Sequence, residues 1–194
     1  MILKKIKIVG FLMLFFLFAN QILAQKKVFD GNPDTAFKVA RELAFNGKRA
    51  QAQDSLRFIL TSYPNYLDIR SFLASTYSWD GSYAKARKEF QYVLNRDDKR
   101  KTDWIAYIKN ELYAEKYFKG LELTKESLKI FPNDPDLSQL KARSELNSGN
   151  KEDALRTVKK ALEFHPESQL LKDYKNSLEG DINFNTISVG FFTD

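Results

Sequence analysis

The sequence predicts an all-α solenoid: four helix hairpins stacked side by side and closed by a capping helix. Three observations predict it: a constant period, small or turn-forming residues at fixed offsets within it, and a proline that ends most copies. Laid on itself with a shift of about 34 residues, a repeat length suited to a helix hairpin, the chain aligns Gly47, Gly81 and Gly149, with Glu115 at the remaining place. Ala52, Ala86, Gly120 and Ala154 follow, then Leu60, Leu94, Leu128 and Leu162. Pro64, Pro132 and Pro166 recur four positions after the leucine, with Asp98 in the other copy. The copies, 33–66, 67–100, 101–134 and 135–168, run on without one insertion.

Residues 1–24 come first and read separately. Lys4, Lys5 and Lys7 precede an apolar run from Ile8 to Ala19, and a cleavage point follows Ala24. That is the anatomy of a secretory signal peptide. The alternative is an uncleaved anchor helix, but the run is shorter than the roughly 20 residues that span a bilayer. Residues 25–32 then read as a linker. Removing residues 1–24 lowers the formal net charge from +6 to +3, with acids and bases interspersed, which argues against a nucleic-acid surface. With no cysteine, disulfides, thiolate metal sites and a lipid-modified amino-terminal cysteine are excluded. A hydrophobic content of 43% is enough to build a core, so stability must come from packing.

Within each repeat the residue types have physical reasons. Glycine after the first helix tolerates the left-handed backbone of a tight reversal. The small residue lets two antiparallel helices approach. The leucine lies on the inward stripe of the second helix, which proline then stops because it lacks an amide hydrogen. In the second copy, Leu73, Ala74, Tyr77, Gly81, Tyr83, Ala86, Phe90 and Leu94 fall at the large and small packing positions of a known repeat. The third supplies Trp104, Tyr117, Leu128 and Pro132, and departs from the pattern at Thr124 and Glu115. Across all four copies the chain resembles the tetratricopeptide repeat (TPR) family. That resemblance implies a right-handed superhelix whose first helices line a concave groove.

The solenoid is expected to span 33–178. Its capping helix, 169–178, carries Leu170, Leu171, Tyr174 and Leu178 at helical spacing, with Lys172, Asp173 and Lys175 facing away. Residues 179–194 read as an extended tail, because Ile187, Val189 and Phe191 alternate with Ser188 and Gly190. A signal peptide, "TYSWDGSYAKAR" at 76–87 and "NTISVGFF" at 185–192 together resemble the periplasmic TPR module of YaiO-like outer-membrane β-barrel proteins. The resemblance implies a chain truncated at the first barrel strand. A disordered tail, or an edge strand docked elsewhere, accounts for the alternation nearly as well.

No catalytic constellation is visible, and no enzyme activity, cofactor, metal site or small-molecule substrate is expected. His165, the single histidine, directly precedes Pro166 and is expected to cap the last carbonyls of its helix. "NRDDKR" at 95–100 lacks the ligand spacing of a calcium loop. No glycine-rich phosphate cradle follows a strand.

The candidate site is therefore a surface. Phe45, Trp79 and Tyr113 align near the ends of the first helices, with Asn147 in the fourth. One turn earlier stand Arg41, Ser75, Lys109 and Arg143, so three aromatics run beside three cations. One reading is a groove that takes a peptide or partner segment, with aromatic anchors and cations meeting its acids. The other is that the aromatics pack against the neighbouring repeat, with Trp79 buried beside Gly81, and the cations are merely solvated. The functional expectation is an exported scaffold for protein–protein interaction in the bacterial envelope. Its alternatives are the periplasmic module of an outer-membrane barrel, and a glycan-binding accessory.

Overall fold

In the computed structural model the backbone of residues 28–190 and the side chains of residues 28–180 are described. The expected signal peptide and the last four residues lie outside that range. The described backbone is helical, in the order α1 (Pro33–Phe45), α2 (Arg49–Ile59), α3 (Leu67–Trp79), α4 (Tyr83–Leu94), α5 (Lys101–Tyr113), α6 (Tyr117–Ile130), α7 (Pro135–Asn147), α8 (Lys151–Phe164) and α9 (Gln169–Gly190). First helices begin at residues 33, 67, 101 and 135 and second helices at 49, 83, 117 and 151, so both sets keep the period of the sequence. Each helix packs on the next. First helices of successive repeats also touch, α3 with α5, α5 with α7 and α7 with α9.

The hairpins close in one way. Gly47, Gly81, Glu115 and Gly149 all adopt a left-handed backbone, with φ of 79°, 71°, 57° and 84°. The next residue's amide then reaches back to the carbonyl five positions before it: Lys48 to Leu43, Ser82 to Tyr77, Lys116 to Glu111 and Asn150 to Glu145, at 2.8–2.9 Å. This contact occupies a helix-end carbonyl that would otherwise lack a partner. Helix starts are less uniform. Asn32 and Asp134 cap α1 and α7 by accepting from the amides of Thr35 and Leu137, at 3.0 and 3.1 Å. Pro33 and Pro135 follow them, at a position where no amide hydrogen is missed.

Inside the hairpins Ala52, Ala86 and Ala154 are fully buried, and Gly120 is buried with them. The glycine of the third repeat has a cause. A Cβ there would stand 3.1 Å from Ser144 Oγ and 3.3 Å from Leu112 Cδ2, tighter than normal contact. The buried apolar side chains fall into two groups. The larger includes Leu56, Ile69, Leu73, Phe90, Tyr107, Ile108 and Leu137; the smaller comprises Ala142, Ala154, Val158, Ala161, Leu171 and Leu178. Each fully buried Leu or Phe contributes about 2 kcal/mol relative to leaving it exposed.

Polar groups are buried too, and each has its own arrangement. Glu111 is fully buried where the second repeat has Tyr77, and Arg87 of α4 holds its carboxylate by three contacts of 2.6–3.1 Å. That charge-assisted grip raises the Arg87 pKa above its ordinary value. Burial pushes the Tyr107 phenol up to about 12, because the phenolate would be desolvated.

Three expectations need correction. Residues 28–32 do not behave as a free linker: the Phe29 amide donates to Thr61 Oγ1 at 3.1 Å, and its ring meets Phe58 and Tyr63 edge-on at 5.6 and 6.1 Å. The capping helix does not stop at 178, nor does an extended tail begin at 179, since α9 continues to Gly190. A lone strand leaves its backbone donors and acceptors open, whereas a helix pairs its own, so without a partner strand the alternation at 185–190 does not produce extended backbone. Residues 191–194, with Phe191 and Phe192, lie outside the description. On the cap itself Leu171 and Leu178 are buried as expected, but Leu170 points outward.

The packing makes two outcomes measurable. Arg87→Ala leaves the buried Glu111 carboxylate without its cation, with the Asn110 amide still donating to it at 2.9 Å, and is expected to cost about 3 kcal/mol in urea unfolding; adding Glu111→Leu recovers most of that loss, because an apolar residue needs no partner. Glu115→Gly relieves a side chain held at positive φ and is expected to stabilise by about 1 kcal/mol, with Gly81→Ala losing a similar amount. An unfolding midpoint that ignores both of those last substitutions would contradict a strained left-handed closure.

Candidate functional site

Three exposed aromatic residues, Phe45, Trp79 and Tyr113, end first helices, while Phe118 and Phe164 are exposed on second helices. Phe45, Trp79 and Tyr113 are 66%, 50% and 53% exposed, so Trp79 is not buried beside Gly81, but Phe45 does pack against Phe72 and Trp79 of the neighbouring repeat. Gly81 provides no pocket for Trp79, since nothing lies within 4 Å of where its Cβ would be. The three do not form one continuous row. Phe45 and Trp79 meet at 6.1 Å, but among the described residues Tyr113 has no ring partner.

What joins Phe45 to Trp79 is Phe72, a residue that the repeat alignment does not single out. Its ring stands 5.9 Å from Phe45, 5.8 Å from Trp79 and 5.7 Å from Phe37. Edge-on and tilted pairs of this kind bring a positive ring edge to a negative ring face. Arg41 lies among them, its guanidinium carbon 5.8 Å from the centroids of both Phe37 and Phe72. Helical spacing contained the clue. Phe37 precedes Arg41 by one turn and Phe72 precedes Trp79 by two, which places each pair on one helix face.

Beside this cluster runs a groove of about 540 Å³, lined by α1, α3 and α5 and including Phe37, Arg41, Ser71, Phe72, Arg100 and Ala106. Two cations in it differ in what they face. Arg100 donates to Asp68 and to Asp103, each at 2.6 Å, and is neutralised by them. Arg41, by contrast, has no ion pair among the described residues. Ser71 Oγ, inside the groove, is buried without a hydrogen-bond partner. Lys109 and Arg143 are exposed on later first helices, apart from the aromatic cluster, and Arg41 meets Phe37 and Phe72 rather than Phe45, the ring one turn beyond it.

His165 takes another place than expected. Its Nε2 is 2.6 Å from the carbonyl of Asn133, in the turn before the fourth repeat, rather than at the last carbonyls of its own helix. The ring thus ties neighbouring loops together. Among the described residues no group of three or more His, Cys, Asp or Glu side chains is placed to hold a metal ion. Nor, among them, is any helix long and apolar enough to cross a membrane.

No protein-family model matches the chain, and no curated protein resembles it in sequence. Solved structures do resemble it in shape. A tetratricopeptide repeat protein from Parabacteroides merdae superimposes with a TM-score of 0.69 at 16% identity, covering 82% of this chain and 62% of that one. MamA from Desulfovibrio magneticus RS-1 gives 0.66 at 15% identity, covering 84% and 93%. MamA of strain AMB-1 gives 0.62 at 19% identity, covering 71% and 81%. At such identities the likeness concerns fold alone, and with the constant period, the left-handed closures and the small-residue crossings it shows that the chain folds as a tetratricopeptide-repeat solenoid.

Proposed function

We propose that this protein is a binding scaffold, not an enzyme, and that the groove along α1, α3 and α5 holds a peptide or an extended segment of a partner protein. The observation that carries this reading is the cluster of Phe37, Phe45, Phe72 and Trp79 around an unpaired Arg41. Phe37 and Phe72 are half-buried against the core, but Phe45 and Trp79 stand in the open and forgo the stabilisation of burial, which a partner that covers them restores. The ligand class is a segment with an apolar or aromatic anchor and an acidic residue beside it: the anchor enters the cluster, and the acid meets Arg41. Lys109 and Arg143 extend positive charge along the later first helices and favour acids further along the same segment.

Peptides selected from a random library against the folded chain test this directly. Phe45→Ala with Trp79→Ala is expected to weaken the selected peptides at least about thirtyfold, as loss of two anchor residues does, with the far-UV spectrum unchanged. Unaltered peptide affinity in a folded double variant removes the groove from consideration. Binding to a polysaccharide in place of any peptide would favour the glycan reading.

The setting is proposed as well. Residues 1–24 support export to the cell envelope, and amino-terminal sequencing of the mature protein should begin at Gln25; an intact Met1 in the exported fraction would count against it. The narrower resemblance to the periplasmic module of YaiO-like barrels now has residues 76–87 as its support, because the backbone of 185–190 is helical.

A further inference from the structure

One repeat on from the core of the third hairpin, four replacements meet at a single junction. In the third repeat Trp104 is buried, and its indole N–H donates to the carbonyl of Asp98 at 2.9 Å. Tyr107, one turn later, stacks on Phe90 of α4, with centroids 5.8 Å and planes 20° apart. Leu123 of α6 is buried as well. The positions equivalent to Phe90, Trp104, Tyr107 and Leu123 hold Thr124, Ser138, Lys141 and Thr157. Large apolar side chains have given way to small or polar ones.

Buried Leu137 and Leu140, where the third repeat has Asp103 and Ala106, take up part of the lost volume, and part stays open. A cavity of about 230 Å³ lies there, lined by Leu128, Pro132, Ser138, Lys141, Thr157 and Lys160 among others. Lys141 does not fold into it, because its ammonium donates to Glu145 and to Thr157, both at 2.6 Å, and the Thr157 hydroxyl donates to Glu145 at 2.7 Å. Thr124 bonds back to the Leu121 carbonyl at 2.8 Å and stays on its own helix. Pro132, on the wall, is the register counterpart of Asp98, whose carbonyl receives the indole of Trp104. Lys160 is exposed and has no ion pair among the described residues. This site is on α6, α7 and α8, and its α7 residues lie on a different face from Arg143.

A preformed cavity with apolar and hydrogen-bonding walls takes up small ring compounds when the residue that would fill it is absent. We propose that the junction of the third and fourth repeats is a binding site for a small planar aromatic molecule bearing a carboxylate. Its ring occupies the space that Trp104 fills one repeat earlier, and its carboxylate meets Lys160. A ring N–H has the Pro132 carbonyl as its acceptor. The site is independent of the groove reading, being formed by other helices and other chemistry.

Titration calorimetry of the folded chain with indole-3-carboxylate and with uncharged indole provides the test. The wild type is expected to bind both, with a roughly fivefold preference for the carboxylate, as an exposed charge contact allows. Lys160→Gln removes that preference. Ser138→Trp fills the cavity and weakens both probes at least about tenfold. Should that variant fail to fold, amide shifts in the wild type decide: perturbation centred on Leu128, Ser138 and Thr157 supports the site, and perturbation elsewhere overturns it. Absence of saturable binding of either probe, equal affinity for the two, or undiminished binding in a folded Ser138→Trp variant would each refute the proposal.

Discussion

Everything in this molecule depends on a reversal of the chain two positions beyond the end of each first helix. At residues 47, 81, 115 and 149 the backbone turns left-handed, and the following amide returns to a carbonyl of the helix just completed. This local hydrogen bond fixes the direction in which the second helix leaves. A small buried residue in that helix, at 52, 86, 120 or 154, then lets the pair close. Repeated at constant spacing, the two constraints give successive hairpins the same relation to one another, and a shared face of first helices results. Glu115 shows how firmly the reversal is imposed, since a charged, unbranched side chain adopts there what glycine adopts elsewhere.

Within that frame, function is written in the departures from regularity. The packing positions repeat, but the residues on the open side of the first helices do not. Phe37, Phe45, Phe72 and Trp79 gather at the first two repeats, while the later ones present Lys109, Tyr113 and Arg143 without a comparable cluster. The two ends of the array consequently offer different chemistry to a ligand lying along it, apolar toward α1 and cationic toward α7. In the proposed groove, such asymmetry would set the direction in which an extended segment lies.

A second departure concerns the interior. Between the third and fourth repeats buried hydroxyls recur: Thr124 stands where Phe90 does one repeat earlier, Ser127 where Val93 does and Ser144 where Asn110 does, and all three bond to carbonyls of their own helices, at 2.8–3.1 Å. These groups are satisfied but add little attraction between helices. The division of the buried apolar residues into two groups coincides with α7, between Leu140 and Ala142. Repeat arrays hold together by nearest-neighbour interfaces, so the composition of each seam bears on the stability of the whole.

Residue types alone determined the period, the helix hairpins, the closures and the buried small residues, because all of these are set by contacts within about one hairpin and by backbone preferences that glycine, proline and alanine carry with them. They also placed Arg41, Phe45 and Trp79 on one face. Only the tertiary structure decided that Phe72 bridges Phe45 to Trp79 while Tyr113 stands apart, since ring contacts across helices depend on interaxial distance and tilt, which no spacing encodes. The same holds for His165, whose partner is the Asn133 carbonyl one repeat earlier, and for the Ser138 cavity, which exists because its neighbours take up only part of the space. The last segment shows the limit of pattern reading: alternation at 185–190 suggests a strand, but a strand needs a neighbour to bond with, and a helix completes its own hydrogen bonds.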